Sequence, residues 1–310
     1  MRTAAAESVR ARPAGRWRPA VALLALSLAW GLTWVVAKQG LAYASPWAFA
    51  AQRCVGGALA LFLALKLLGR PMGLVAPAQT LVIALVNVAA FLIVQTWALV
   101  EGGAGRTAVL NYTMPIWTLL LAWLFLGERI RGLQWLAAIC ALVGLVLIVE
   151  PWNVQGSLLS SVLGLAAALC WAAGSILIKR LRSRCEVDLV SLTAWQLLIG
   201  AVPLSLLAVV IPDRATVWSV QYVGILAFIA IVSTALGWWL WTYILDRVPA
   251  WEASLSVLGA PVVALVSSRA LLGEEFQAAE VVGMLLIGVG LALLSVIGGM
   301  AGSRSPTGKV

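Results

Sequence analysis

Apolar residues run along this chain in stretches of about twenty, broken at short intervals by proline, glycine and charged residues. A helix needs about that many predominantly apolar residues to cross a bilayer, so the pattern predicts membrane-spanning helices from end to end. Ten are read, at roughly 19–38, 46–68, 76–100, 104–126, 132–150, 157–179, 187–211, 218–245, 250–272 and 277–298. The breaks carry residues that end helices: Ala44-Ser45-Pro46, Gly69-Arg70-Pro71, Pro151-Trp152-Asn153 and Ile211-Pro212-Asp213. A membrane β-barrel would instead show short alternating segments, and none are visible.

The ten helices read as two copies of a five-helix unit. Residues 84–148 align without a gap with residues 230–294. Pro115 falls on Pro261, Leu126-Gly127-Glu128 on Leu272-Gly273-Glu274, and Gly144-Leu145 on Gly290-Leu291. The starts of the halves match in a second register, Trp30 with Trp171 and Lys38 with Lys179. An odd number of spans per copy sends the second copy into the membrane upside down. Inverted repeats build transporters, because two related halves can rock about a site at their interface. The expected fold is an all-α polytopic membrane protein, with ten transmembrane helices as two inverted five-helix repeats, residues 19–150 and 151–298. Disordered cytoplasmic tails are expected at 1–18 and 299–310.

Composition narrows the partners. The chain is 63% hydrophobic and 11% charged, with a mean hydropathy of +1.01; soluble domains are about 45–50% apolar and about 25% charged. The net charge of +9 is not a nucleic-acid footprint, because Lys and Arg follow the membrane. With the N-terminus inside, the cytoplasmic segments collect Arg2, Arg10, Arg12, Arg16, Arg18, Lys66, Arg70, Arg129, Arg131, Lys179, Arg180, Arg182, Arg184 and Arg247. The outer ends keep only Lys38, Arg106, Arg214 and Arg269. The bias predicts both termini in the cytoplasm, in a cell inner membrane. The Arg-rich start imitates a signal peptide, but its apolar run is too long and Trp30 and Trp34 interrupt any small-residue cleavage site. There is no histidine, and Cys54, Cys140, Cys170 and Cys185 lack metal or redox spacing, so no metal or cofactor is expected. The expected partners are the bilayer and a small-molecule solute, with no nucleic acid, for a monomer or homodimer.

Several helix faces mix aromatic and polar groups, which lipid would not select at mid-depth. Trp30, Thr33, Trp34 and Ala37 share one face of the first helix, and Trp171, Gly174, Ser175 and Ile178 one face of the sixth. Asn87, Phe91 and Gln95 recur on the third helix, opposite Ser233, Gly237 and Trp241 on the eighth, with Thr234 and Trp238 alongside. Asn111 and Tyr112 precede Pro115 on the fourth, and Ser254 and Leu258 precede Pro261 on the ninth. A solvated or solute-filled cavity explains these faces, and so does close packing between helices. The candidate lining is Trp30, Thr33, Trp34, Asn87, Gln95, Asn111, Tyr112, Trp171, Ser175, Trp238, Trp241 and Ser254. Of the run Trp238-Trp239-Leu240-Trp241, at least one indole is expected to face lipid or an interface.

The remaining polar positions read as structural. Arg53 is the one clear charge inside a span, with Glu101 and Glu150 as available anions; pairing or snorkelling is the expectation. Pro115 and Pro261 are expected to kink their helices, the first freeing the carbonyl of Asn111. Gly127-Glu128 and Gly273-Glu274 read as hinge-like turns, glycine ending one helix and glutamate meeting the positive end of the next.

At these residues the chain resembles the EamA-type ten-helix transporters of the drug/metabolite transporter superfamily. The resemblance is carried by Ala29-Trp30-Gly31 with Lys38, by Arg53, by Pro115 through Leu126-Gly127-Glu128, and by Gly144. In the second half Trp171, Lys179, Pro261 and Leu272-Gly273-Glu274 carry it again, over roughly 20–298 in all. It implies a central cavity lined by helices 1, 3, 4, 6, 8 and 9, and export, less often uptake, of small metabolites such as amino acids and their relatives. The second half departs in having Gln196 where the first has Arg53. The expected function is thus alternating-access transport of a small organic solute. A membrane-embedded lipid or isoprenoid enzyme would need clustered Asp, Glu, His or Ser, and none is seen; a receptor or scaffold would bind without moving its ligand. Carboxylates confined to helix ends favour facilitated diffusion or exchange over strict proton antiport.

Overall fold

The computed structural model describes residues 17–149, 158–211, 213–272 and 278–303; some helical side chains within them, Trp34 and Lys38 included, lie outside the description. Every regular element among the described residues is helical. In chain order these are α1 (Trp17–Gly40), α2 (Pro46–Leu67), α3 (Pro77–Ile83), a π-helical segment (Ala84–Ala90), α4 (Phe91–Asn111), α5 (Met114–Leu126) and α6 (Gln134–Val149). The second half follows as α7 (Leu158–Arg182), α8 (Leu189–Val210), α9 (Val220–Ala227), a second π-helical segment (Phe228–Leu236), α10 (Gly237–Leu245), α11 (Ala250–Ser256), α12 (Gly259–Leu272) and α13 (Ala278–Ser303). They compose two inverted five-helix repeats. Five stretches, among them Pro77–Glu101 and Val220–Leu245, are long and apolar enough to cross a membrane; the other spans contain shorter apolar helices.

Local chemistry sets several boundaries. Pro46 opens α2 behind Ser45, whose Oγ accepts the Ala48 N–H at 3.2 Å. Asp188 starts α8 by accepting the Val190 and Ser191 N–H groups at 2.9 and 3.0 Å, and Arg70 holds its other oxygen at 2.5 Å. These side chains satisfy N–H groups that have no partner within the helix. α1 begins at Trp17 and α13 runs to Ser303, so helix extends a little into both expected tails.

One expected break falls elsewhere. A loop was expected between helices at 100 and 104, but the backbone stays helical to Asn111 and breaks at Tyr112-Thr113. Proline cannot donate to the carbonyl four residues back, and the turn closes instead through Thr113, whose N–H and Oγ1 donate to Leu110 O at 3.1 and 2.6 Å. The equivalent break precedes Pro261, at Val257-Leu258. α4 packs along α7. Ala98 O accepts the Ser160 hydroxyl at 3.1 Å, while Leu110 packs on Gly164, only one turn further along α7.

Packing is reciprocal between the halves. α1 packs on α12, and α4 and α5 pack on α7; α2 packs on α8, and α6 on α13. At the last interface a methyl on Gly144 would stand 2.6 Å from Gly283 O, and one on Gly290 would stand 2.8 Å from Ala137 O. These are the same contact seen from each repeat, and only glycine lets the backbones approach so closely. Leu59, Leu63, Leu124, Ile139, Val143 and Leu285 lie exposed on the periphery, facing the lipid side.

Candidate functional site

Between the halves lies a cavity of about 180 Å³. α1 gives it Trp30, Thr33, Ala37 and Leu41; α2 gives Pro46, Phe49, Ala50 and Arg53. α4 gives Phe91, Leu92, Gln95, Thr96, Leu99, Thr107 and Asn111, followed by Tyr112 and Met114. Trp171, Ser233, Trp238 and Val257 complete the lining. The cavity therefore runs from mid-helix toward the end of the molecule where α1 passes to α2.

Its floor is aromatic. Trp171 is the hub: its ring centroid lies 5.2 Å from Trp30, 4.8 Å from Phe91, 4.8 Å from Trp238 and 5.7 Å from Trp241. The first three contacts are edge-on, the arrangement that ring quadrupoles favour. Trp241 is fully buried behind this wall, its Nε1 donating to Ser175 Oγ at 3.3 Å. Trp238 and Trp241 thus share a face one turn apart, while Trp239 turns away onto Tyr243.

The two π segments occupy equivalent places in the repeats and carry the site's polar groups. Ser233, on the second, is a junction: its hydroxyl accepts Thr33 Oγ1 at 2.7 Å and its carbonyl accepts Trp30 Nε1 at 3.1 Å. Arg53 donates from Nε to Thr234 Oγ1 at 2.9 Å and from Nη2 to Ser233 Oγ at 3.4 Å. Asn87, on the first π segment, is buried against Gly174, and its Nδ2 reaches Gln196 Oε1 at 3.5 Å. The other amide atoms of that pair, Asn87 Oδ1 and Gln196 Nε2, have no protein partner. Residue for residue, Asn87 matches Ser233, Gly174 matches Thr33 and Gln196 matches Arg53.

The opposite end of the molecule is held together by ion pairs, beside a second cavity of about 230 Å³ lined by Lys179, Arg182 and Asp246. Lys179 Nζ, at the end of α7, meets Glu128 Oε1 at 2.8 Å and Val248 O at 2.8 Å. Glu128 Oε2 accepts the Ala250 N–H at 2.7 Å. Arg182 adds a 2.8 Å pair with Asp246 and a 2.7 Å bond to Val187 O. Three connections from different parts of the chain converge on one lysine and one glutamate.

Of the candidates read from sequence, Trp30, Thr33, Gln95, Asn111, Tyr112, Trp171 and Trp238 line the cavity. Asn87, Ser175, Trp241 and Ser254 are buried in helix packing instead; Ser175 and Ser254 donate to Trp171 O and Trp251 O of their own helices. The side chain of Trp34 and residues Gly273 and Glu274 lie outside the description. Pro115 and Pro261 are buried just past the helix breaks. Arg53 meets hydroxyls, not Glu101, which is exposed beside Trp97; Glu150 lies outside the description. α2 also lines the cavity rather than standing outside it. Gly127 ends α5 in the left-handed conformation, φ 66°. Glu128 does meet a helix N-terminus, but that of α11, because α6 starts only at Gln134. Phe49, Thr96 and Thr107 were missed: Phe49 and Thr107 fall opposite Leu192 and Ala253 in the other repeat, whereas Thr96 falls on Thr242, a match that could have flagged it.

Comparison with known proteins places this geometry. A model of the EamA-like transporter family matches residues 17–150 and again 158–296. A probable amino-acid metabolite efflux pump of Escherichia coli is 29% identical over 282 residues, covering 87% of this chain and 92% of the relative. The uncharacterized transporter YoaV of Bacillus subtilis is 28% identical over 277 residues, 87% of this chain and 94% of its own. A solved crystal structure superposes with a TM-score of 0.78 over 91% of this chain and 99% of the other, at 16% identity, which shows a shared fold.

Proposed function

This chain belongs to the EamA-like transporter family, and we propose that its cavity between the halves is the solute site of an alternating-access exporter, held open to the outside. The carrying observation is the contrast between the ends: the cavity reaches Leu41 and Pro46, while Lys179, Glu128 and Ala250 are tied together at the other end. The clustering of Lys and Arg assigns the tied end to the cytoplasm. Both termini are then cytoplasmic, in a bacterial inner membrane. In this state an exporter releases its solute. Rigid-body rocking of the repeats, with the helix breaks at Tyr112-Thr113 and Val257-Leu258 absorbing the bend, supplies the return step.

The solute is a small organic metabolite, amino-acid-like or otherwise amphipathic, as the aromatic floor and the uncharged hydrogen-bonding groups Gln95, Asn111 and Tyr112 support. The naming of the E. coli relative as an amino-acid metabolite efflux pump favours the same class. No carboxylate is among the cavity's described lining residues, which favours facilitated diffusion or exchange.

Reconstitution into liposomes with a panel of labelled metabolites tests the reading. Flux of at least one solute is expected, reduced by Asn111→Ala and Tyr112→Phe at unchanged membrane levels, with exchange surviving collapse of the pH gradient. Binding without flux would make the protein a receptor. Reporter fusions at Arg131 and Arg182 should read cytoplasmic, and at Asn153 and Asp213 external; a cytoplasmic signal at Asn153 would break the orientation.

A further inference from the structure

We infer that the transported solute carries a carboxylate, seated on Arg53, and an apolar body laid against Trp30, Phe91, Trp171 and Trp238. The inference rests on the cavity being the solute site and names what that site selects.

Arg53 is the only charged side chain in the described lining. Its observed partners are two neutral hydroxyls, on Thr234 and Ser233, and no described carboxylate pairs with it. A guanidinium offers five N–H donors, so these bonds hold the group in place and leave donors for a guest. A cation walled by apolar groups without a counter-ion is costly. Its preferred mate is a carboxylate, which it binds through two parallel bonds.

The second repeat shows that the fold does not need the charge. At the matching position Gln196 reaches Asn87, as Arg53 reaches Ser233 and Thr234. A neutral amide thus serves the helix packing there. The charge is an addition made on the side that has the cavity.

Asn111 supplies the second anchor. It is only 8% exposed and lines the cavity, yet neither its Oδ1 nor its Nδ2 has a protein partner. A buried amide left unpaired costs about 1–3 kcal/mol, so the position suits a guest that donates or accepts there. The Trp171 indole N–H in the floor is likewise unpartnered. A cavity of about 180 Å³ has room for on the order of a dozen waters, hence for a solute of roughly that many heavy atoms. One cation and no anion among the described lining residues select against polyanions and against amines lacking an acid group.

The test uses the full chain in lipid nanodiscs and four congeners that share a phenylethyl body: 3-phenylpropionate, L-phenylalanine, L-phenylalaninamide and 2-phenylethylamine. Binding is followed by calorimetry and by quenching of the tryptophan fluorescence. The two carboxylates should bind at least about tenfold more tightly than the amide and the amine. Arg53→Gln, which installs the side chain found at Gln196, should weaken the carboxylates by about ten- to a hundredfold and leave the other two within about twofold. Arg53→Lys should fall between. A free acid and an amino acid share this chemistry; tighter binding of L-phenylalanine, lost in Asn111→Leu, assigns the amino acid, and tighter binding of 3-phenylpropionate the acid. Equal affinity for all four congeners would overturn the inference, as would no binding of either carboxylate. An Arg53→Gln variant that weakens all four alike would show a structural arginine. Should Arg53→Gln fail to fold, the wild-type ranking of the congeners still decides. The broader reading fails separately: other solutes moved, and blocked by Asn111 or Tyr112 variants, would keep the cavity as the solute site while the carboxylate assignment falls.

Discussion

The two π segments share a backbone form and a place in their repeats, but one borders the cavity beside a charge and the other is dry, buried in neutral packing. Around Ser233, the hydroxyl of Thr33, the indole of Trp30 and the guanidinium of Arg53 meet beside the cavity. Around Asn87, the amide is pressed onto Gly174 and reaches only Gln196. The first junction lies beside the cavity and the second toward the end joined by Lys179 and Glu128. The two repeats keep the same backbone geometry, while their side chains differ beside the cavity. π segments interrupt the i→i−4 ladder and recur at functional sites, which makes these two the natural places to test the division.

The largest effect should come from Gly174→Val, whose side chain would overlap the Asn87 amide. Overpacking there is expected to cost about 3 kcal/mol, read as a lower unfolding midpoint and lower membrane levels. Thr33→Val at the equivalent position should do far less. Next, Glu128→Ala removes both the Lys179 pair and the Ala250 cap, an expected loss of about 1–3 kcal/mol. Untying that end should wet the dry junction. A thiol placed by Gln196→Cys should then label at least several times faster, and an unchanged rate would show that Glu128 is not what keeps it dry. Third, Asn87→Leu alone should destabilise by about 1–2 kcal/mol by orphaning Gln196. Asn87→Leu with Gln196→Met should recover most of that and keep transport within about twofold, because a half-satisfied amide pair is replaced by apolar contact. A double variant without transport would mean that the dry junction also handles solute. The smallest effect is that of Thr33→Val: loss of the bond to Ser233 should cost about 1 kcal/mol and slow flux a few-fold.

Much of this was legible before the structure. The repeat, its odd number of spans and the Gly144 and Gly290 match follow from residues whose roles are local, since glycine and proline act on their own turn of helix. Helix faces were legible, but not what faced them. On α7 the same stripe holds Trp171, which borders the cavity, and Ser175, one turn on, which is covered by Trp241. Only the neighbouring helix decides between the two. Arg53 was read toward Glu101, yet its partners sit on a helix far along the chain. Glu128 was assigned to the helix that follows it and serves instead the start of α11. The π segments left no trace in the pattern, because an extra residue per turn changes the ladder and not the hydrophobicity.

The meeting of α6 and α13 has a consequence for how the protein is made. The groove formed by Ala137, Ala141 and Gly144 is shaped for Gly283, Ile287 and Gly290, and those residues are synthesised only after the first four helices of the second repeat. Until then the first repeat sits in the bilayer with its fifth helix bare on one side, and α1 likewise waits for α12. The groove is filled by α13, so a chain stopped short of residue 278 loses the partner of a surface synthesised long before. Quality control that senses the unpaired groove would thereby inspect both repeats at once.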